Sequence, residues 1–292
     1  MLICDLLFIV TFLRLVLTNG NSYEKSTHLQ SKHDVVLTKH NLARTKRYIE
    51  PQISGGDIKT VKSAVSIWIK ENNNKDPICS GTLISNTWVI TAGHCVKDVN
   101  LTNILVVAAE MNILRYIRGQ SQIAIENGVR NVRIHPKYFV IPNQLYDWDI
   151  ALLELDNSIV ISSNPDIEIA LLPPPSIKHS GKKIRVGGWG KTGFWLPRSA
   201  EHKAIEVIIN EDNECEKIFR DVGDFFVARM FCAGRMGKTT CTGDSGAGAI
   251  FNDWGFPIVL GIVSFGSRCS TASGYPKIEK ALDWIYNETE IR

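Results

Sequence analysis

The sequence predicts an all-β protein, a pair of barrels or a large sandwich, that ends in a C-terminal helix. Three observations predict it. From Ile53 onward the apolar residues fall in short β-type runs separated by turn-rich spacers. The 240 residues after Gln52 exceed what one small barrel needs. The last fourteen residues, EKALDWIYNETEIR, set Ala281, Leu282, Ile285 and Tyr286 on one helical face. At 44% hydrophobic and 22% charged residues in 292, the chain has the composition of a globular protein with a sizeable core.

In chain order, residues 1–20 (MLICDLLFIVTFLRLVLTNG) hold a short apolar run that ends in small and polar residues, the pattern of a secretory signal peptide cut near Gly20. The competing reading is a membrane anchor, against which Arg14 interrupts a run already short for a bilayer. Residues 21–52 are polar, without hydrophobic periodicity, and include Arg44-Thr45-Lys46-Arg47; they read as a pro-segment. They carry six Lys/Arg against three Asp/Glu, so the net charge of +3 belongs to them and residues 53–292 are balanced. That balance excludes a nucleic-acid footprint or a polybasic membrane surface. The strand-like runs follow: VSIWI at 65–69, TLIS and TWVITA within 82–92, ILVVAA at 104–109, VRNVRI at 129–134 and IALLEL at 150–155. KKIRVGGWG at 182–190, AIEVII at 204–209 and PIVLGIVSFG at 257–266 complete them.

Of seven cysteines, Cys4 lies in the signal segment; Cys79, Cys95, Cys215, Cys232, Cys241 and Cys269 remain. An even number in a secreted chain predicts disulfides, and spacing alone cannot choose among the pairings. Zinc competes for such residues, but the sequence has no Cys-x-x-Cys or His-x-x-x-His pair, so no metal or cofactor is expected. Asn100-Leu-Thr102 and Asn287-Glu-Thr289 are glycosylation sequons that suit an extracellular surface.

Within TTCTGDSGAG, residues 239–248, Ser245 sits between glycines and behind Asp244. The stretch reads equally as an exposed turn or as the seat of a nucleophile. A serine hydroxyl becomes nucleophilic near neutral pH only with a base that takes its proton and a group that holds that base. His135, His179 and His202 read as surface or loop residues. His94 ends TWVITAGHC, where a buried strand delivers it to a turn of small residues. Asp149 directly precedes an apolar run that would draw it inside, where a carboxylate needs a donor such as an imidazole N–H.

These pieces resemble the trypsin/chymotrypsin-like family of secreted serine endopeptidases: ISGGD at 53–57, SGTLISNTWVITAGHC at 80–95, DIALLEL at 149–155, GGWG at 187–190, FCAG at 231–234, GDSG at 243–246 and IVSFG at 262–266. The resemblance implies two perpendicular six-stranded antiparallel β-barrels with the site in the cleft between them. It implies a triad of His94, Asp149 and Ser245, an oxyanion hole from the backbone N–H groups of Gly243 and Ser245, and a substrate-pairing segment Ser264-Phe265-Gly266. The disulfides it implies are Cys79–Cys95, Cys215–Cys232 and Cys241–Cys269. Expected partners are protein or peptide substrates, an activating protease and protein inhibitors, with the chain itself a monomer.

Three departures stand against that pattern. Family precursors are cut after Arg or Lys to free an amine that pairs with the aspartate before the nucleophile, here Ile53 with Asp244, yet Gln52 precedes Ile53. Thr239 falls where trypsin-like members carry the aspartate that binds Arg or Lys, and Gly266 leaves the pocket entrance open, which together suggest large apolar side chains. GYPKIEKALDWI lacks about four residues between proline and lysine, so a pocket-wall strand is expected to be absent. These departures sustain a rival reading, a catalytically silent homologue that acts as a binding partner. A Gly-x-Ser-x-Gly esterase elbow is not present.

Overall fold

Strands that alternate between two buried faces need a second layer, and the first half of the domain supplies it by closing on itself. The computed structural model describes residues 60–291 except 71–76, 142–144, 163, 194, 221–225, 254 and 267–268. Signal segment, pro-segment and Ile53 therefore lie outside the described residues. β1 (Ala64–Ile69), β2 (Cys79–Leu83), β3 (Trp88–Thr91), β4 (Ile104–Ala108), β5 (Ile125–Ile134) and β8 (Ala151–Leu155) form a closed barrel in the order β1-β2-β3-β8-β5-β4. Val65, Ile67, Val89, Ile90, Val106 and Leu153 are buried in its core. Between β5 and β8 stands a separate hairpin, β6 (Phe139–Ile141) with β7 (Leu145–Asp147).

The second half contains β9 (Lys183–Gly188), β10 (Lys203–Ile208), β11 (Met230–Ala233), β12 (Gly248–Asp253), β13 (Phe256–Ile262), β14 (Phe265–Gly266) and β15 (Ser273–Pro276). They form one sheet in the order β10-β9-β12-β13 and another in the order β11-β15-β14. Single bridges, Ile209 to Ala233 and Gly261 to Lys277, join the two sheets into a second barrel. Among the described residues the α-helices are α1 (Ile113–Ile117), α2 (Asp212–Phe219) and α3 (Leu282–Thr289). In and just before α3, Ala281, Leu282 and Ile285 are buried and Tyr286 packs partly against the same core, the face that the periodicity predicts. Among the described residues no helix is long and apolar enough to cross a membrane.

Two expectations are corrected here. The wall strand after the last disulfide cysteine is present: β15 pairs Phe231 with Tyr275 on one side and Phe265 with Gly274 on the other. Pro276 ends this strand instead of preceding it, so the proline was the wrong anchor for counting residues and Tyr275 the right one. The histidines are corrected too. His135, His179 and His202 are buried, each with its ring against aromatic neighbours. His135 stacks on Trp148 at 4.3 Å and meets Trp284 edge-on, His179 lies against Phe231, and His202 meets Trp189 edge-on at 4.8 Å. Burial lowers the pKa of each to about 4, so all three are neutral planar groups of the core at physiological pH.

The run PIVLGIVSFG also behaves differently from one strand. It breaks at Val263 and Ser264, because Val263 turns aside to exchange hydrogen bonds with the Ser245 loop: Gly246 N–H donates to Val263 O at 2.8 Å and Val263 N–H to Ala247 O at 2.9 Å. The break leaves β14 as an edge strand beside that loop.

Candidate functional site

The site grows from the ends of β3 and β7. After Thr91 the chain makes a 3-10 turn, Gly93–Cys95, that presents His94, and a disulfide ties Cys95 to Cys79 at the start of β2 with Cα atoms 6.1 Å apart. Gly93 eases a close approach, since a Cβ there would lie a tight 3.1 Å from Tyr138 and 3.3 Å from Asp149 Oδ1. Asp149 follows Trp148, which has a positive φ of 52°, a conformation few non-glycine residues adopt. The turn closes when Ile150 N–H donates to Trp148 O at 2.7 Å.

Asp149 is fully buried and its carboxylate is surrounded by donors. Oδ1 accepts the His94 backbone N–H at 2.8 Å, and Oδ2 faces His94 Nδ1 at 2.7 Å and accepts Ser264 Oγ–H at 2.5 Å. A carboxylate placed this way accepts a hydrogen bond from Nδ1–H, which holds the proton on that nitrogen and leaves Nε2 as the bare lone pair of a neutral ring. The Tyr146 ring lies parallel to the imidazole at 4.8 Å, and Tyr138 stacks on Tyr146 at 6.3 Å. Burial raises the pKa of both phenols, Tyr138 to about 12, so they remain neutral walls. Sequence reasoning missed these two tyrosines: Tyr146 lies on β7 and Tyr138 just before β6, and neither carries a local motif.

Ser245 is half-buried and its loop is pinned to the same strands. Ser80 N–H donates to Ser245 O at 2.8 Å, one residue from Cys79. Gly246 has φ +83°, and a Cβ there would collide with Ser80 O and Thr91 Oγ1. Gly243 has φ +98° and faces the Arg198 guanidinium, whose Nη1 donates to Pro77 O. Among the described residues, the N–H groups of Asp244, Gly246 and Ala247 each reach a carbonyl, whereas no acceptor takes those of Gly243 and Ser245.

Asp244 is the second buried carboxylate. Its Oδ1 accepts Gly190 N–H and its Oδ2 accepts Cys241 N–H, both at 2.9 Å. Burial pushes its carboxyl up to about 6, opposed by those two N–H groups and by Arg198. A Cβ on Gly188 or Gly190 would lie within 2.6 Å of Asp244 Oδ1, so both glycines make room for it. Its expected partner, the amine of Ile53, falls outside the described residues.

Thr239, expected at the base of the specificity pocket, lies in a cluster of buried hydroxyls. Thr239 Oγ1 is 3.1 Å from Ser273 Oγ, and Thr240 Oγ1 donates to Ser273 Oγ at 2.7 Å, with all three residues buried. Ser273 Oγ would lie 2.9 Å from a Cβ on Gly266, so the same hydroxyl also packs against Gly266. Ser273 was missed because the strand that carries it was expected to be absent. The Phe265 ring packs over Gly274 and meets Phe219 edge-on at 5.2 Å.

The remaining cysteines pair as Cys215–Cys232 and Cys241–Cys269. Cys79, His94 and Cys95 bring their ligand atoms within 4.8 Å, but the two sulfurs are bonded to each other and cannot bind a metal as thiolates. Asn100 is exposed, and its Oδ1 accepts from Thr102 N–H and Oγ1–H. Asn287 is exposed on α3, where Thr289 Oγ1 donates to Ile285 O at 2.7 Å.

Comparison with known proteins agrees with this arrangement. Residues 53–285 match the Trypsin family. Trypsin 5G1 of Aedes aegypti is 32% identical over 213 residues, 71% of this chain and 73% of that protein. Trypsin of Phaedon cochleariae is 31% identical over 224 residues, 73% and 79% of the two chains. Venom serine protease 34 of Apis mellifera is 30% identical over 234 residues, 76% of this chain. The chain spans about half of that venom protein (54%) and about a quarter (26%) of the Drosophila melanogaster serine proteinase stubble. With the family matched over most of its length and with the two barrels, the terminal helix and the GDSG loop in place, the chain belongs to the trypsin family.

Proposed function

We propose that the protein is a secreted serine endopeptidase, made as a precursor, in which Ser245 is the nucleophile, His94 the general base and Asp149 the group that holds His94. The observation that carries this reading is the Asp149 carboxylate bonded to both the backbone and Nδ1 of His94, which turns Nε2 away from that carboxylate and leaves it to act as the base. Ser245 Oγ attacks a peptide carbonyl as its proton moves to Nε2. The imidazolium, stabilised by Asp149, then gives that proton to the leaving amine, and a water repeats the sequence to free the acid. The two N–H groups left over in the loop, Gly243 and Ser245, serve the oxyanion, and losing one such donor costs about 3 kcal/mol of transition-state stabilisation. The open edge of β14 receives the extended substrate backbone through Ser264, Phe265 and Gly266.

A floor of Thr239, Thr240 and Ser273 hydroxyls has no carboxylate to meet a basic side chain, which supports cleavage beside uncharged residues. Residues 1–20 act as the signal and residues 21–52 as the pro-segment, and Asn100 and Asn287 carry glycans. Activation frees the amine of Ile53, which buries beside Asp244. This requires a cut after Gln52, directly or by trimming from Arg47.

Three outcomes test the proposal. A fluorophosphonate probe labels the processed protein on Ser245, and His94→Ala removes the label; labelling that survives without His94 overturns the mechanism. For specificity, Thr239→Asp raises the rate on Lys esters relative to apolar esters by at least about tenfold, because it pairs an otherwise lone buried charge; an unchanged ratio places the pocket elsewhere. For activation, the raised Asp244 value means that the uncut fold is favoured with this group protonated and loses that advantage as pH rises through 6. A cationic amine offsets the loss, so the stability of the form starting at Ile53, relative to the uncut chain, grows by about 3 kcal/mol between pH 4 and 7. Denaturant unfolding of both forms measures this, and a pH-independent difference, or active protein starting at Tyr48, contradicts it.

A further inference from the structure

Asp149 sits at the end of a segment that its own strand does not hold. Among the described residues β7 pairs only with β6, and Trp148 must keep a left-handed backbone, which is stable only where the surroundings impose it. What imposes it comes from 82 residues away. Arg229 Nε donates to Asp147 Oδ1 at 3.0 Å and its Nη2 donates to Asp147 Oδ2 at 2.8 Å, a bidentate pair that fixes orientation as well as distance. The same guanidinium lies 6.0 Å from the Trp148 ring and 4.3 Å from that of Phe226. His135 stacks on Trp148 at 4.3 Å and Lys137 Nζ lies 5.2 Å from it, so contacts from three directions hold that side chain. Arg229 is itself anchored: its N–H donates to Phe226 O at 2.9 Å and its O accepts Lys277 N–H at 2.8 Å.

We propose that Arg229 is a positioning residue for the Asp149 carboxylate: through Asp147 and Trp148 it clamps the hairpin of the first barrel to the second, and so fixes both Asp149 and the Tyr146 ring against His94. The inference rests on the triad proposed above and adds a residue from the opposite half of the domain that touches no reacting atom. A partly exposed ion pair with 31% and 17% of its side chains accessible adds little to stability, so its consequence is geometric. A shift of about 1 Å in a supporting group can cost a hundredfold in rate.

The test is saturation kinetics of the fluorophosphonate on the processed protein and on Arg229→Met, Asp147→Asn and Arg229→Lys. Arg229→Met and the near-isosteric Asp147→Asn are expected to lower the maximal labelling rate constant by about ten- to a hundredfold. The half-saturating probe concentration and the final labelled fraction stay unchanged, and Arg229→Lys, which keeps the charge and one contact, recovers part of the loss. A purely structural role would reduce the labelled fraction and leave the rate constant of the remaining molecules intact, which overturns the proposal, as does a wild-type rate constant in both neutralised variants. If the unmutated serine does not react, the proposed function fails on its own account, and amide hydrogen exchange still decides the clamp. The His94 and Ile150 amides, which bond Asp149 Oδ1 and Trp148 O, exchange at least about tenfold faster in Arg229→Met, and unchanged exchange there overturns it.

Discussion

The Asp149 carboxylate is withdrawn from water altogether, and a charge in that position persists only where donors surround it. The two barrels meet around this requirement. The first barrel contributes the backbone and ring N–H groups of His94, delivered by β3 and its following turn; the second contributes Ser264 Oγ–H, available because β13 breaks just before it. Losing either side would leave a buried acceptor short of a donor, at a cost of about 1 to 3 kcal/mol, more for a charged group. The arrangement of the site and the contact between the barrels are therefore one constraint.

Asp244, in the neighbouring loop, shows the opposite balance. It too is buried, but only two backbone N–H groups bond it, and its carboxyl is pushed up to about 6. Burial leaves its charge only partly stabilised, and the glycines at 188 and 190 keep open the space it occupies. The loop that bears Ser245 depends on both carboxylates. Ser80 and Val263 pin it to the strands around Asp149, while Asp244 ties it to Gly190.

Much of this was legible in the sequence, for identifiable reasons. Short apolar runs between turn-rich spacers gave the strands, and the motifs GDSG and GGWG fall where the structure has close approaches that no side chain tolerates. What was not legible depended on long-range partners. His135, His179 and His202 read as surface or loop residues from their immediate neighbours, yet aromatic rings from distant segments bury them. β15 was lost because a proline that ends a strand and one that precedes a strand look alike in sequence, and only the pairing of Tyr275 with Phe231 tells them apart. Ser273 went with it, and with Ser273 the buried hydroxyl cluster around Thr239 and Thr240. Tyr146 and Arg229 carry no local motif; their places depend on the hairpin and on a partner 82 residues away.

The central claim is that Asp149 dictates which nitrogen of His94 bears the proton. The most direct measurement is the nitrogen NMR spectrum of histidine-labelled protein at about pH 9, where an ordinary imidazole is neutral, with His94 assigned by its absence in His94→Ala. The account predicts a protonated Nδ1 and a bare Nε2 for His94, reversed in Asp149→Asn when the amide presents its N–H. A bare Nδ1 in the unmutated protein would contradict it.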